Sequence, residues 1–161
     1  MAASNHELDA PPWLRVESTL MATARAIRKA YAIRFQGLEL NLTQASLIGF
    51  LDESGPITQT QLARRLGTGR AATGLVINAL EKRNLIERRE NPNDRRAWLI
   101  ALRAEGQALV APILEIDAVL RAELRAGISR SERQTLAALL VRLESNLAGV
   151  FEDEDAAGES N

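Results

Sequence analysis

Residues 58–102 read TQTQLARRLGTGRAATGLVINALEKRNLIERRENPNDRRAWLIAL, and this stretch decides the fold. It opens as a short helix over residues 58–66. Thr58 stands as N-cap with Gln61 three residues on, the capping-box spacing, and Leu62, Ala63 and Leu66 form the inner side. Gly67-Thr68-Gly69 is a tight turn. A second helix follows over residues 70–83, with Ala72, Leu75, Val76, Ala79 and Leu80 expected to be buried. Two short helices about a glycine-bearing turn make a helix-turn-helix, whose second helix is the one that enters a groove. Residues 85–89 and 98–102 then read as strands around a polar, proline-containing loop at 90–96. That hairpin is a wing. Two strands alone are marginal, so it must lean on the helices.

Long helices are predicted on both sides of this unit. Residues 13–35 carry Leu14, Leu20, Met21, Ala24, Ile27, Ala30 and Tyr31 at three- and four-residue steps behind Pro11 and Pro12. A helix follows from Thr43 as N-cap, with Leu47, Ile48 and Leu51 inward and a turn at residues 53–56. After the wing, residues 104–125 form a helix in which Pro112 predicts a kink or break. Ser129, with Glu132 three residues on, caps a last helix through Leu136, Leu139, Leu140, Leu143 and Leu147. The expected organisation is a flexible terminus at 1–12, an N-terminal helical dimerisation region at 13–41 and a winged helix-turn-helix at 42–103. A C-terminal helical dimerisation region at 104–149 and a disordered acidic tail at 150–161 complete it. The fold class is mainly α with a small β-hairpin wing.

The dimer expectation comes from apolar residues. The first and last helices carry more of them than a compact winged unit can cover, and a second copy is the simplest cover. Two-fold symmetry would set two groove-reading helices roughly 34–36 Å apart, one turn of duplex DNA, and would call for a near-palindromic site.

Composition narrows the chemistry. Apolar residues make up 46% of 161, enough for a core, and the longest apolar run is too short to span a membrane. The first residues lack a basic-then-apolar leader pattern, so a cytoplasmic protein is expected. With no cysteine, there is no disulfide and no thiolate nucleophile; the one histidine, His6, excludes a histidine-rich zinc site. No catalytic base or paired carboxylate stands out, so neither an enzyme nor a cofactor is expected. Net charge is −1, yet residues 55–106 hold ten Arg/Lys against five Asp/Glu. That regional positive field suits a phosphate backbone.

Position then assigns candidates. Arg70, in the first turn of the second helix, can take a guanine edge or a phosphate; Thr73 and Asn78 are secondary base-contact candidates. Arg64, Arg65, Lys82 and Arg83 read as phosphate contacts. Arg95 and Arg96 sit at the wing tip, suited to a narrow minor groove. Asp94 beside them repels phosphate and is expected to hold an arginine or the turn by an Asx-type bond or ion pair. Each basic residue has the alternative of being solvated surface. Trp98 packs on the hairpin or stacks on a base. Trp13, Met21 and Tyr31 form core or interface, or line an effector pocket.

In its order of elements and its wing, the chain resembles the MarR family of transcriptional regulators. The residues that carry the resemblance are LIERRENPNDRRAWLIAL at 85–102, with Asp94 and Arg96 matching the family's Asp-any-Arg wing. LTQ at 42–44, QLARRLG at 61–67 and LEKRNL at 80–85 support it. The resemblance implies a triangular homodimer built on the first and last helices. Such dimers commonly repress genes from a palindromic operator, and a small, often aromatic or phenolic, anion releases many of them. It further implies that Arg96 enters the minor groove and that Asp94 braces it. The chain departs from the family's usual pattern at several positions: Ala71 and Ala72 for Ser/Thr, Leu75 for Arg, Asn84 for Gly and Arg103 for Thr. Asn84 is tolerable because asparagine adopts the left-handed conformation. The branch that senses peroxide through cysteine is excluded.

The expected function is therefore sequence-specific double-stranded DNA binding by a homodimer that regulates transcription, with a small-molecule effector as a further partner. The rival readings are an effector-independent activator or architectural protein, and a winged-helix adaptor that binds protein.

Overall fold

The computed structural model describes residues 15–94 and 96–158, with side chains to Leu147. Its elements are α1 (Val16–Arg34), a 3-10 turn (Gln36–Leu38), α2 (Leu42–Ser54), β1 (Ile57–Thr58), α3 (Gln59–Leu66) and α4 (Arg70–Lys82), then β2 (Ile86–Glu90), β3 (Trp98–Leu102), α5 (Ala104–Leu124) and α6 (Arg130–Gly158). The chain divides into two compact units, Met1–Leu120 and Arg121–Asn161.

In the first unit the helix-turn-helix folds for the local reasons its sequence supplies. Thr58 accepts from Gln61 N–H, and the Gln61 side chain accepts in return from Thr58 N–H, at 2.8 Å. Leu62 and Ala63 are buried, and α3 stops at Gly67, which takes a left-handed φ of 62° without steric cost. The first strand residues of the wing join the core: Phe35, Leu47, Ile48, Leu62, Ile77, Leu80, Ile86 and Ile100 are all fully buried together. Tyr31 stacks on Phe35 at 5.6 Å, and its hydroxyl donates to Asp117 on α5 at 2.6 Å.

The wing has three antiparallel strands in the order β1-β3-β2, not two. Ile57 pairs with Ile100 and Thr58 with Leu99; Ile86 pairs with Leu102, Arg88 with Ile100 and Glu90 with Trp98. This is how the hairpin leans on the helices: β1 leads directly into α3. A two-residue strand shows no alternation of its own, which is why the sequence reading missed it.

Other expectations are corrected. The second helix is capped by Asn41, whose side chain accepts from Gln44 N–H at 2.9 Å, and not by Thr43. Of the kink or break expected at Pro112, the break does not occur: α5 is continuous through it. α6 runs on to Gly158, into the stretch expected to be a disordered tail. No proline or glycine interrupts residues 150–157, and extending an existing helix is far easier than starting one. Trp13 and the start of the expected first helix lie outside the described residues. Asn84 does take a left-handed φ, 62°, at the glycine-like position before the wing.

In the second unit, Ser129 and Glu132 form the expected box. Ser129 N–H donates to Glu132 Oε2 at 2.7 Å and Glu132 N–H to Ser129 Oγ at 3.3 Å. The Ser129 hydroxyl and backbone bonds hold the Glu132 carboxyl below its usual range. Leu136, Leu139, Leu140 and Leu147 of α6 are exposed.

Candidate nucleic-acid interface

The second helix of the helix-turn-helix, α4, is turned relative to the sequence reading. Its buried stripe is Thr73, Ile77 and Leu80, while Ala72 is exposed and Leu75 is 71% exposed. The apolar residues of α4 cover too much of its circumference for periodicity to select a face, and contacts with α3, α2 and β2 select it. Thr73 is thereby corrected: it is no base contact. It is fully buried, its hydroxyl donating to Gly69 O at 3.0 Å and lying 2.9 Å from Thr68 Oγ1. These bonds lock the helix-turn-helix turn. Gln59 Nε2 adds a bond to Arg70 O at 2.9 Å and ties the start of α4 to α3.

Arg70 is exposed in the first turn of α4 and lines a cleft of about 530 Å³ between that helix and the wing. Arg88, Arg96 and Trp98 line the same cleft. Alternation explains the gathering: Arg88 faces Ile100 across the ladder, and Trp98 lies two residues from Ile100 on the same face of β3. Trp98 is 54% exposed, with the cleft before it. Gly69, the N-cap of α4, has no side chain to cap the helix.

Arg88 was missed by the sequence reading. Its Nη2 donates to Asn78 Oδ1 at 2.7 Å, and its Nε lies 3.8 Å from Glu81. It therefore joins the wing strand to α4. The signal was present in the strand alternation, which sets Arg88 on the face of Ile86. Asn78 is exposed on α4, with its carbonyl oxygen held by Arg88.

At the wing tip, Asp94 Oδ1 accepts from Arg96 N–H at 2.9 Å and Asp94 O accepts from Ala97 N–H at 3.1 Å. Asn91 Oδ1 accepts from Asn93 N–H at 3.0 Å. These side-chain-to-backbone bonds fix the loop that presents the exposed Arg96. Arg95 lies outside the described residues.

The four expected phosphate contacts separate into two pairs. Arg64 and Lys82 are exposed. Arg65 and Arg83 are each engaged within the chain. Arg65 pairs with Glu53 at 2.7 Å, bonds Ser54 and lies 4.8 Å over the Phe50 ring. Arg83 donates to Glu39 O at 2.6 Å and Leu38 O at 3.1 Å. On the far face of the wing, Arg89 bonds Glu87 at 2.6 Å and Arg103 reaches the same carboxylate at 3.1 Å. The Arg89 hydrogen bond leads in holding Glu87 below the usual carboxylate range.

Of the expected effector-pocket residues, Trp13 lies outside the described residues, and Tyr31 and Met21 are both on α1. Tyr31 is only 8% exposed within the core, whereas Met21 is 60% exposed. Ten residues of α1 separate them, about 15 Å along the helix axis. Among the described residues, no helix is long and apolar enough to cross a membrane.

A helix-turn-helix with a three-stranded wing and arginines from both on one cleft defines a winged-helix DNA-binding protein. The family model described as the MarR family matches residues 40–98. A probable transcriptional regulator from Pseudomonas aeruginosa is 31% identical, over 80% of this chain and 98% of that one, with a TM-score of 0.67. A putative MarR family regulator from Listeria monocytogenes, complexed with 26mer DNA, is 25% identical over 88% of this chain and 93% of its own, with a TM-score of 0.74. Bordetella bronchiseptica BpsR, whose DNA binding is regulated by 6-hydroxynicotinic acid, shares the fold at 21% identity and a TM-score of 0.74. That match covers 80% of this chain and 92% of BpsR. The chain belongs to the MarR family of transcriptional regulators, DNA-binding proteins and not enzymes.

Proposed function

We propose that the protein is a homodimeric repressor that occupies a palindromic operator and is released from it by a small aromatic or phenolic anion. The observation that carries the operator reading is the cleft in which Arg70 of α4 meets Arg88 and Arg96 of the wing. Arg96 is the minor-groove residue, held by Asp94; Arg70 reads a base edge; Arg64 and Lys82 neutralise phosphates. Arg95 is assigned to the wing contact with Arg96. The exposed Val16, Leu20 and Met21 of α1 and the leucines of α6 support a second copy as their cover. The ligand response is supported by BpsR, a fold relative regulated by an aromatic acid. A ligand acts by favouring a lobe spacing that no longer fits the duplex, to the extent of its differential affinity. The site of action is the cytoplasm.

Selection of duplexes from a random pool tests the reading. A two-fold symmetric site is expected, with half-site centres roughly 34–36 Å apart. Arg96→Ala should weaken binding at constant salt by about a hundredfold. That corresponds to a charge-assisted contact of about 1.5 kcal/mol or more lost in each of two subunits. The variant should remain a dimer by sedimentation. Equal affinity of variant and parent refutes the wing role. A monomeric parent refutes the palindrome. Unchanged binding across a panel of aromatic acids refutes ligand release.

A further inference from the structure

We infer that Leu75 is a specificity-determining residue that reads the 5-methyl group of thymine in the major groove. The inference rests on the operator-binding reading above and says which base edge α4 selects. With Thr73, Ile77 and Leu80 turned inward, the line opposite them along α4 is Ala71, Leu75, Asn78 and Lys82. Leu75 is at the middle of that line and 71% exposed, the most exposed of the large apolar side chains described.

The neighbours on the line offer little to read bases by hydrogen bonding. Ala71 has no polar side-chain atom. The Asn78 carbonyl oxygen already accepts from Arg88, which ties its side chain toward the wing and leaves one lone pair for any base. Arg70 lies to one side, on the wing cleft. An exposed leucine has nothing to donate or accept, and it penalises any base edge that it strips of water without replacing the hydrogen bond. The one apolar group in the major groove is the thymine methyl. Lys82 on the same line and Arg70 beside it attract the duplex that carries that methyl. The leucine therefore supplies a selectivity for the thymine methyl that is separate from the base edge read by Arg70.

The test acts on the DNA and on the protein separately. Duplexes selected by the parent protein are resynthesised with deoxyuridine at one thymine position at a time, in both half-sites. Deoxyuridine removes the methyl and leaves every hydrogen-bonding group in place. At one such position the parent is expected to lose about fourfold per half-site, the value of one buried methyl, or about fifteenfold for the symmetric pair. Leu75→Ala should bind the all-thymine site more weakly and show no loss at that position. An exposed leucine replaced by alanine within a helix keeps the fold, which circular dichroism checks. If the parent binds but no thymine distinguishes it from Leu75→Ala, the methyl-reading role is overturned and the operator reading stands. If Leu75→Ala changes the oligomeric state and leaves the methyl dependence intact, Leu75 is a protein contact and the inference is overturned. If the parent selects no duplex at all, the operator reading falls, and the inference with it.

Discussion

Gly106 stands in the first turns of α5 where that helix crosses the strand entering the wing. A Cβ built there would lie 2.1 Å from Leu85 O, 3.0 Å from Leu85 C and 3.2 Å from Leu102 Cδ2. Ordinary C···O contacts begin at about 3.3 Å, so alanine requires a shift of more than 1 Å, roughly, in backbone and not in a flexible side chain. The Leu85 carbonyl also accepts from Arg103 N–H at 3.0 Å, a bond the shift would stretch or break. Overpacking costs about 1–3 kcal/mol, and a stranded carbonyl about 1–3 kcal/mol more. Against this, alanine improves the helix by about 1 kcal/mol. Gly106→Ala should therefore lower stability by about 1–5 kcal/mol, a fall in Tm of roughly 2–20 °C for a chain of this size. The matched control is Gly49→Ala. Gly49 lies inside α2 with nothing within 4 Å of its Cβ position, so only the helix gain of up to about 1 kcal/mol applies. Urea and thermal unfolding of the two variants measure the contrast. If Gly106→Ala is as stable as the parent, or is stabilised like Gly49→Ala, the close approach of α5 to Leu85 is wrong.

Thr73→Val keeps the shape and removes the buried hydroxyl between Thr68 and Gly69. It should cost about 1–2 kcal/mol in unfolding while leaving the order of preferred DNA sites unchanged; a changed site preference would restore Thr73 as a base contact. Arg65→Ala should lower stability by about 1 kcal/mol, through loss of its Glu53 pair and Phe50 contact, with no change in the salt dependence of DNA binding. Arg64→Ala should reduce the log–log salt slope by about 0.9 per copy at little cost in stability, and identical slopes for the two variants would contradict the division between them.

Capping and turn chemistry made much of the fold legible before any coordinates. Thr58 with Gln61, Ser129 with Glu132, and Gly67 at a helix end act within a few residues, so the chain specifies them locally. The wing loop was readable for the same reason, since Asn91 and Asp94 bond backbone groups two residues away. The face of α4 was not readable. Its apolar residues cover most of its circumference, and tertiary contacts with α3, α2 and β2 put Thr73 inside and Leu75 outside.

By itself the sequence determined the order of the helices and the wing hairpin, the Thr58 and Ser129 caps, the regional positive charge and the family resemblance, because each depends on near neighbours or on counting. Tertiary structure decided which arginines are occupied. Arg83 meets Leu38 and Glu39, forty-five and forty-four residues away, and Arg65 meets Glu53 across a turn. It also decided that Arg88 joins Arg70 and Arg96. A charged side chain that finds a partner on another element is committed to it, and no spacing along the chain carries that information.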